Sequence, residues 1–155
     1  MDELRIGQLT KEMVAEELRH IADPCATAAS VVRKTLSIAL NGVPAGATPP
    51  ERVIEDAVQG AMTALLLADQ SLARGAVLVI EAVHDAASER QLDTTESLRA
   101  ALAGLADLRR FVTPQRVDEV RHAIETRYMG AGEVFQEFVE RAARAEAADQ
   151  AEFRG

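Results

Sequence analysis

All three histidines of this 155-residue chain follow a glutamate by three positions: Glu17-Leu-Arg-His20, Glu81-Ala-Val-His84 and Glu119-Val-Arg-His122. A carboxylate and an imidazole at i and i+3 share one face of a helix. Two such units on facing helices, joined by carboxylates from two others, can hold a pair of metal ions. The pairs must then point inward. On a helical wheel Glu119 and His122 fall opposite Val117, Val120 and Ile124, so that pair faces water. Glu81 and His84 lie on the polar margin of their helix, and only Glu17 and His20 adjoin an apolar face.

The unit resembles that of ferritin-like carboxylate–histidine proteins, and the resemblance implies Glu17, His20, Glu81 and His84 as ligands if they converge. The wheel geometry argues for local surface ion pairs instead, so no metal and no cofactor is expected. Other chemistry is thinner. Gly42, Gly46, Gly130 and Gly132 match neither a phosphate loop nor a dinucleotide fingerprint. Ser30-Val-Val-Arg-Lys-Thr35 has the look of a recognition helix, but offers only Arg33 and Lys34 to phosphates. The single cysteine, Cys25, stands near a helix start, where the dipole favours a thiolate; a small buried side chain is the plainer reading. Nothing assembles a recognisable active site, and the expectation is a non-enzymatic protein.

Composition bounds the partners. Twenty-five acidic residues against 17 basic ones give a net charge of −8, which disfavours phosphate backbones and anionic lipid. One cysteine excludes an internal disulfide and fits a reducing compartment, and the opening Met-Asp-Glu-Leu-Arg lacks a signal-peptide pattern, so a cytoplasmic location is expected. Ala, Leu, Glu and Arg dominate, Trp is absent and Tyr occurs once, so the core must be built from aliphatic side chains and closely approaching alanines.

These residues must be positioned by helices, and the fold class is all-α: a single domain over 1–155, with a loop at 42–48 and a fraying tail at 145–155. Five to six amphipathic helices are expected. The first spans about Glu3 to Ala22. Asp23-Pro24 opens the second, which Asn41-Gly42 stops. Thr48-Pro-Pro-Glu51 reads as a capping box, and helical pattern then continues to about Arg90. One helix of that length, about 49–90, would span roughly 60 Å at 1.5 Å per residue, with a possible break near Gly75. Asp93-Thr-Thr-Glu96 is a second capping box, Thr113-Pro114 opens the next helix, Gly130 and Gly132 end it, and the last begins near Glu133.

The long segment carries a heptad-like seam of small residues: Ile54, Ala57, Ala61, Ala64, Ala68, Leu72, Val79 and Val83. Such a seam lets another helix come close, and a spine of that length needs more cover than one small bundle supplies. The expected solution is a homodimer through this seam. Asp69, Gln70, Arg74 and Glu81 interrupt the apolar run, which is therefore no membrane span. The functional expectation is a helical scaffold acting through protein–protein contact and self-association. The alanine-rich helices are also similar in composition to phasin-type proteins, which coat hydrophobic granules; that likeness implies a coat or apolar-ligand-binding bundle and carries over no individual residue.

Overall fold

Prolines open three helices of this chain, at Pro24, Pro50 and Pro114. The computed structural model describes residues 5–18, 23–42, 48–68 and 71–154, with side chains at all of these except 5, 16–18, 42 and 152–154. It is all-α: α1 (Arg5–Leu18), α2 (Pro24–Gly42), α3 (Pro50–Leu67), α4 (Leu72–Glu89), α5 (Thr94–Ala106), α6 (Pro114–Arg127) and α7 (Ala131–Arg154), with a 3-10 turn, Asp107–Arg110, continuing α5. No strand occurs among the described residues, and no described helix is long and apolar enough to cross a membrane.

Three expected caps form. Asp23 Oδ1 accepts from the Ala26 amide at 3.3 Å, Asp93 Oδ1 from the Glu96 amide at 3.0 Å, and Thr113 Oγ1 from the Arg116 amide at 3.3 Å. Two differ. Pro49 rather than Thr48 is the N-cap of α3, and no side chain caps it, because prolines at 49 and 50 leave fewer amides to satisfy. The last helix begins at Ala131, so Gly132 lies inside it. Its first amides are satisfied from α6 instead: the Glu125 carboxylate accepts from Gly130 N at 2.9 Å and Gly132 N at 3.0 Å. Gly130, at φ +88°, makes the turn. The tail expected to fray beyond Arg144 is helical to Arg154, and Glu146 is bonded to Arg109 of the 3-10 turn at 2.5 Å.

The single central helix over 49–90 is corrected. Two helices of 18 residues each take its place, and the break falls after Leu67, not at Gly75. Polar Ser71 makes the second start possible by accepting from the Arg74 amide. Gly75 sits within the first turn of α4 as a contact point: a methyl there would come within 2.6 Å of Leu65 Cδ1. α3 and α4 touch each other less than either touches α2. They form a corner, and the 60 Å spine does not exist. With its division the described chain has seven helices, more than the five to six expected.

The seam is therefore used up inside one chain. Ile54, Ala57, Ala61, Ala64, Leu72, Val79 and Val83 are all at most 3 % exposed, and Ala68 is half-buried. α3 is the hub, clasped by α1 and α5 and backed by α2. Its closest approaches are made by glycine. A methyl on Gly60 would lie 2.2 Å from the Gly7 carbonyl oxygen of α1 and 3.1 Å from the Lys11 amide nitrogen. On the other flank, a methyl on Gly104 of α5 would lie 2.7 Å from the Glu55 carbonyl oxygen. Leu36, Met62, Leu65, Ile80, Leu102, Leu105 and Phe135 fill the remaining core.

α2 and α4 run side by side in the same direction, laced along one edge. Arg74 grips Asp23 with two hydrogen bonds of 2.7 and 2.8 Å, Arg33 bonds Glu89, and Arg90 bonds Asn41 and Ser37.

Two substitutions test the hub. In an exposed helix Gly→Ala gains about 1 kcal/mol. At Gly60 the methyl meets backbone that cannot rotate away, and overpacking costs about 1–3 kcal/mol or more. The clash exceeds the gain, so thermal melts of Gly60→Ala are expected to fall below the parent; an equal or higher midpoint would show that α1 does not cross there. Ala64→Glu places an uncompensated charge at a site 1 % exposed and is expected to cost several kcal/mol. A variant melting like the parent would contradict the buried seam.

Candidate functional surfaces

A gathering of chemistry-bearing side chains lies where α4 meets the end of α6. Glu81, His84 and Asp85 stand at i, i+3 and i+4 on α4, a spacing that puts them on one helix face. Arg127 closes α6 and Tyr128 is its C-cap. The five line an open cleft of about 400 Å³. Arg127 Nε donates to Glu81 Oε1 at 3.0 Å, and its guanidinium sits 4.8 Å from the centre of the Tyr128 ring. His84 Nδ1 lies 3.9 Å from Asp85 Oδ1, with both side chains more than half exposed.

Electrostatics follow from this packing. Burial is the main cause pushing the Tyr128 phenol above its ordinary 10.0, and the Glu81 carboxylate adds to it, while Arg127 pulls the other way. The phenol is thus a persistent hydrogen-bond donor at neutral pH. Glu81 is an acceptor already engaged by Arg127. The cleft can hold a small polar molecule by hydrogen bonds, but neither a nucleophile nor an enclosing wall stands beside His84.

Of the four metal candidates, the structure brings Glu81 and His84 to this cleft and ties Glu81 to Arg127. His20 and the side chain of Glu17 lie outside the described residues. Among the described residues no group of three or more His, Cys, Asp or Glu is placed to hold a metal ion. Glu119 and His122 face water on α6, as the wheel predicted. Arg127 and Tyr128 were missed as partners of Glu81 because no periodicity links them to it: 46 residues separate Arg127 from Glu81.

Cys25 is 3 % exposed, with Sγ 3.5 Å from the Ser71 carbonyl oxygen that it faces across the α2–α4 junction. Burial pushes its thiol up, and the nearby Arg74 only partly offsets this. The thiol stays protonated at neutral pH and works as a packing group. Arg33, one of the two cations of the recognition-like segment, is committed to the α4 carboxylates Glu89 and Asp85.

A second depression, of about 310 Å³, lies between the 3-10 turn, the start of α6 and the outer face of α7. Val112, Pro114, Val117 and Val139 make its apolar wall, with Arg109, Asp118 and Gln136 at its edges. No family model, curated protein or solved structure matches the chain, so both surfaces are read from their own chemistry.

The chain has one tyrosine and no tryptophan, so its ultraviolet titration reports Tyr128 alone. Ionisation is expected above the ordinary 10.0. Glu81→Gln should bring the midpoint down and Arg127→Gln should raise it. The unfolded chain ionises first, so the fold loses this contribution as pH rises past 10.0. A midpoint at the ordinary value, unmoved by either substitution, would mean the cleft does not form.

Proposed function

We propose that the protein is a non-enzymatic helical scaffold that acts through protein–protein contact and self-associates, in a cytoplasmic setting. The alanine seam expected to carry this role is internal, so the contact must use other surfaces. The observation that carries the reading is Ile38: it is 72 % exposed near the end of α2, where Ser30, Arg33, Lys34 and Asn41 also face outward. Leu67, closing α3, is 70 % exposed as well.

Fully burying one such side chain stabilises a contact by about 1.5–3 kcal/mol, and a two-fold interface uses each residue twice. The polar rim around Ile38 fits interface anatomy, in which an apolar anchor is ringed by groups that stay wet. The setting is supported by a lone, packed cysteine that needs no oxidising environment. Nucleic acid is not among the proposed partners. Arginines 33, 74, 109, 121 and 127 are each paired with a carboxylate of this same chain, which leaves the surplus acidic charge outermost.

Ile38→Glu is the direct test, because an exposed position can change without disturbing the core. Sedimentation velocity at rising protein concentration is expected to show reversible self-association of the parent, weakened at least tenfold by Ile38→Glu, while the two melt alike. Parent and variant sedimenting identically as monomers throughout would overturn the reading.

A further inference from the structure

The depression beside α7 combines an apolar wall with one committed cation, and the cation's present partner indicates what it selects. Arg109 Nη1 donates to Glu146 Oε2 at 2.5 Å, so a carboxylate already occupies this guanidinium. Among the described residues no acceptor meets its Nε or Nη2, and a guanidinium fork is shaped to take a carboxylate through two parallel bonds. Arg110, on the same turn, adds positive potential; together these two arginines hold the Glu146 carboxyl below its ordinary value, Arg109 foremost.

The one acid at the rim, Asp118, is turned to Arg121, which donates to its Oδ1 from Nε at 3.0 Å and Nη2 at 2.8 Å. Its charge is thereby neutralised against a second anion. Gln136 adds an amide able to donate or accept. Val112, Pro114, Val117 and Val139 supply a surface for an aliphatic or aromatic tail, and about 310 Å³ falls at the small end of ligand pockets, roughly 300–1,000 Å³.

We propose that this depression is a binding site for a small amphipathic carboxylate, whose tail lies on the three valines and Pro114 and whose head displaces Glu146 from Arg109. The exchange is favourable in structural terms. Glu146 is a half-exposed partner on a stretch of α7, 144–151, that is exposed throughout, so its release uncovers no apolar surface. The bound acid restores the ion pair and covers the part-exposed Val112 and Val139, beneath which Val117 is already buried. Occupancy is thereby linked to freedom of the α7 terminus, because Glu146 is the tether between that stretch and the 3-10 turn.

Titration of the whole chain with octanoate, and with octanamide as the uncharged match, tests the site. Calorimetry gives affinity, and backbone amide shifts give location. Octanoate is expected to bind at least tenfold tighter than octanamide, with shifts concentrated at Val112, Val117, Gln136 and Val139. Arg109→Gln should abolish most of that preference. Glu146→Gln should tighten octanoate a few-fold by removing the internal competitor, and it reports even if Arg109→Gln fails to fold. Equal affinity for octanoate and octanamide, no binding of either, shifts elsewhere, or weaker binding by Glu146→Gln would each overturn the proposal. None of these outcomes depends on whether the protein self-associates.

Discussion

The fold depends on how closely two backbones can approach at one crossing. Helices normally pack 8–10 Å apart, the distance being set by the side chains between them. Where α1 crosses α3 almost nothing lies between: the Gly7 carbonyl stands where a Gly60 methyl would be, 2.2 Å from its position. Gly104 repeats the device on the opposite flank of α3. Dispersion contacts lose a quarter to a half of their depth over a gap of about 0.5–1 Å. A core of alanine and valine, with few atoms to bridge gaps, therefore cohesively packs only if the helices are this near. Val14, Ala57, Ala61 and Ala101 are essentially sealed from solvent on those terms.

The lacing of α2 to α4 is a different kind of constraint. Its ion pairs are exposed on both sides, where water and salt screen them and little net stability is gained. Their effect is on register more than on stability. The two-pronged grip of Arg74 on Asp23 fixes where α4 begins relative to α2, and Arg90 fixes where it ends. The Asp23 carboxyl is held below its ordinary 3.8 chiefly by Arg74, so the contribution of this pair is present above that value and fades on acidification. Registration at both ends lets the seam residues of α3 and α4 meet α2 without a continuous helix between them.

Much of this was legible in the sequence. Apolar periodicity and the caps at Asp23, Asp93 and Thr113 placed the helices, because each cap is a local interaction among residues three apart. The small-residue seam reads in the sequence as a dimer contact, whereas its residues are buried within one chain. Periodicity says that a face is to be buried and is silent on whether the cover comes from the same chain. The break after Leu67 has a faint signal for a related reason: apolar spacing resumes at Leu72, so the polar run Asp69-Gln70-Ser71 reads as an interruption of one helix as readily as the start of another. Gly75 reads in the sequence only as a possible break and Gly60 carries no signal; the value of both lies in long-range contacts that local propensity does not encode. The same blindness applies to the surfaces. Arg127 with Glu81, Arg109 with Glu146 and Glu125 with the α7 amides all join different elements, and no spacing rule connects them.

The two ends of the chain pack by different means, and the distribution of aromatic side chains divides them. Every aromatic residue of the chain falls at or after Phe111. The front of the molecule, α1 to α4, packs through glycine, alanine and larger aliphatic side chains, with its tightest crossing at Gly60. The back packs around Phe135, and arginines lie over three further rings: Arg99 and Arg141 each 5.4 Å from Phe138, Arg110 5.5 Å from Phe111, and Arg127 4.8 Å from Tyr128. A stacked guanidinium keeps its edge donors free to reach an acceptor, as Arg127 reaches Glu81 in the cleft beside Tyr128. The depression beside α7 has no aromatic ring in its wall, and its positive edge comes instead from Arg109, held by Glu146 of α7.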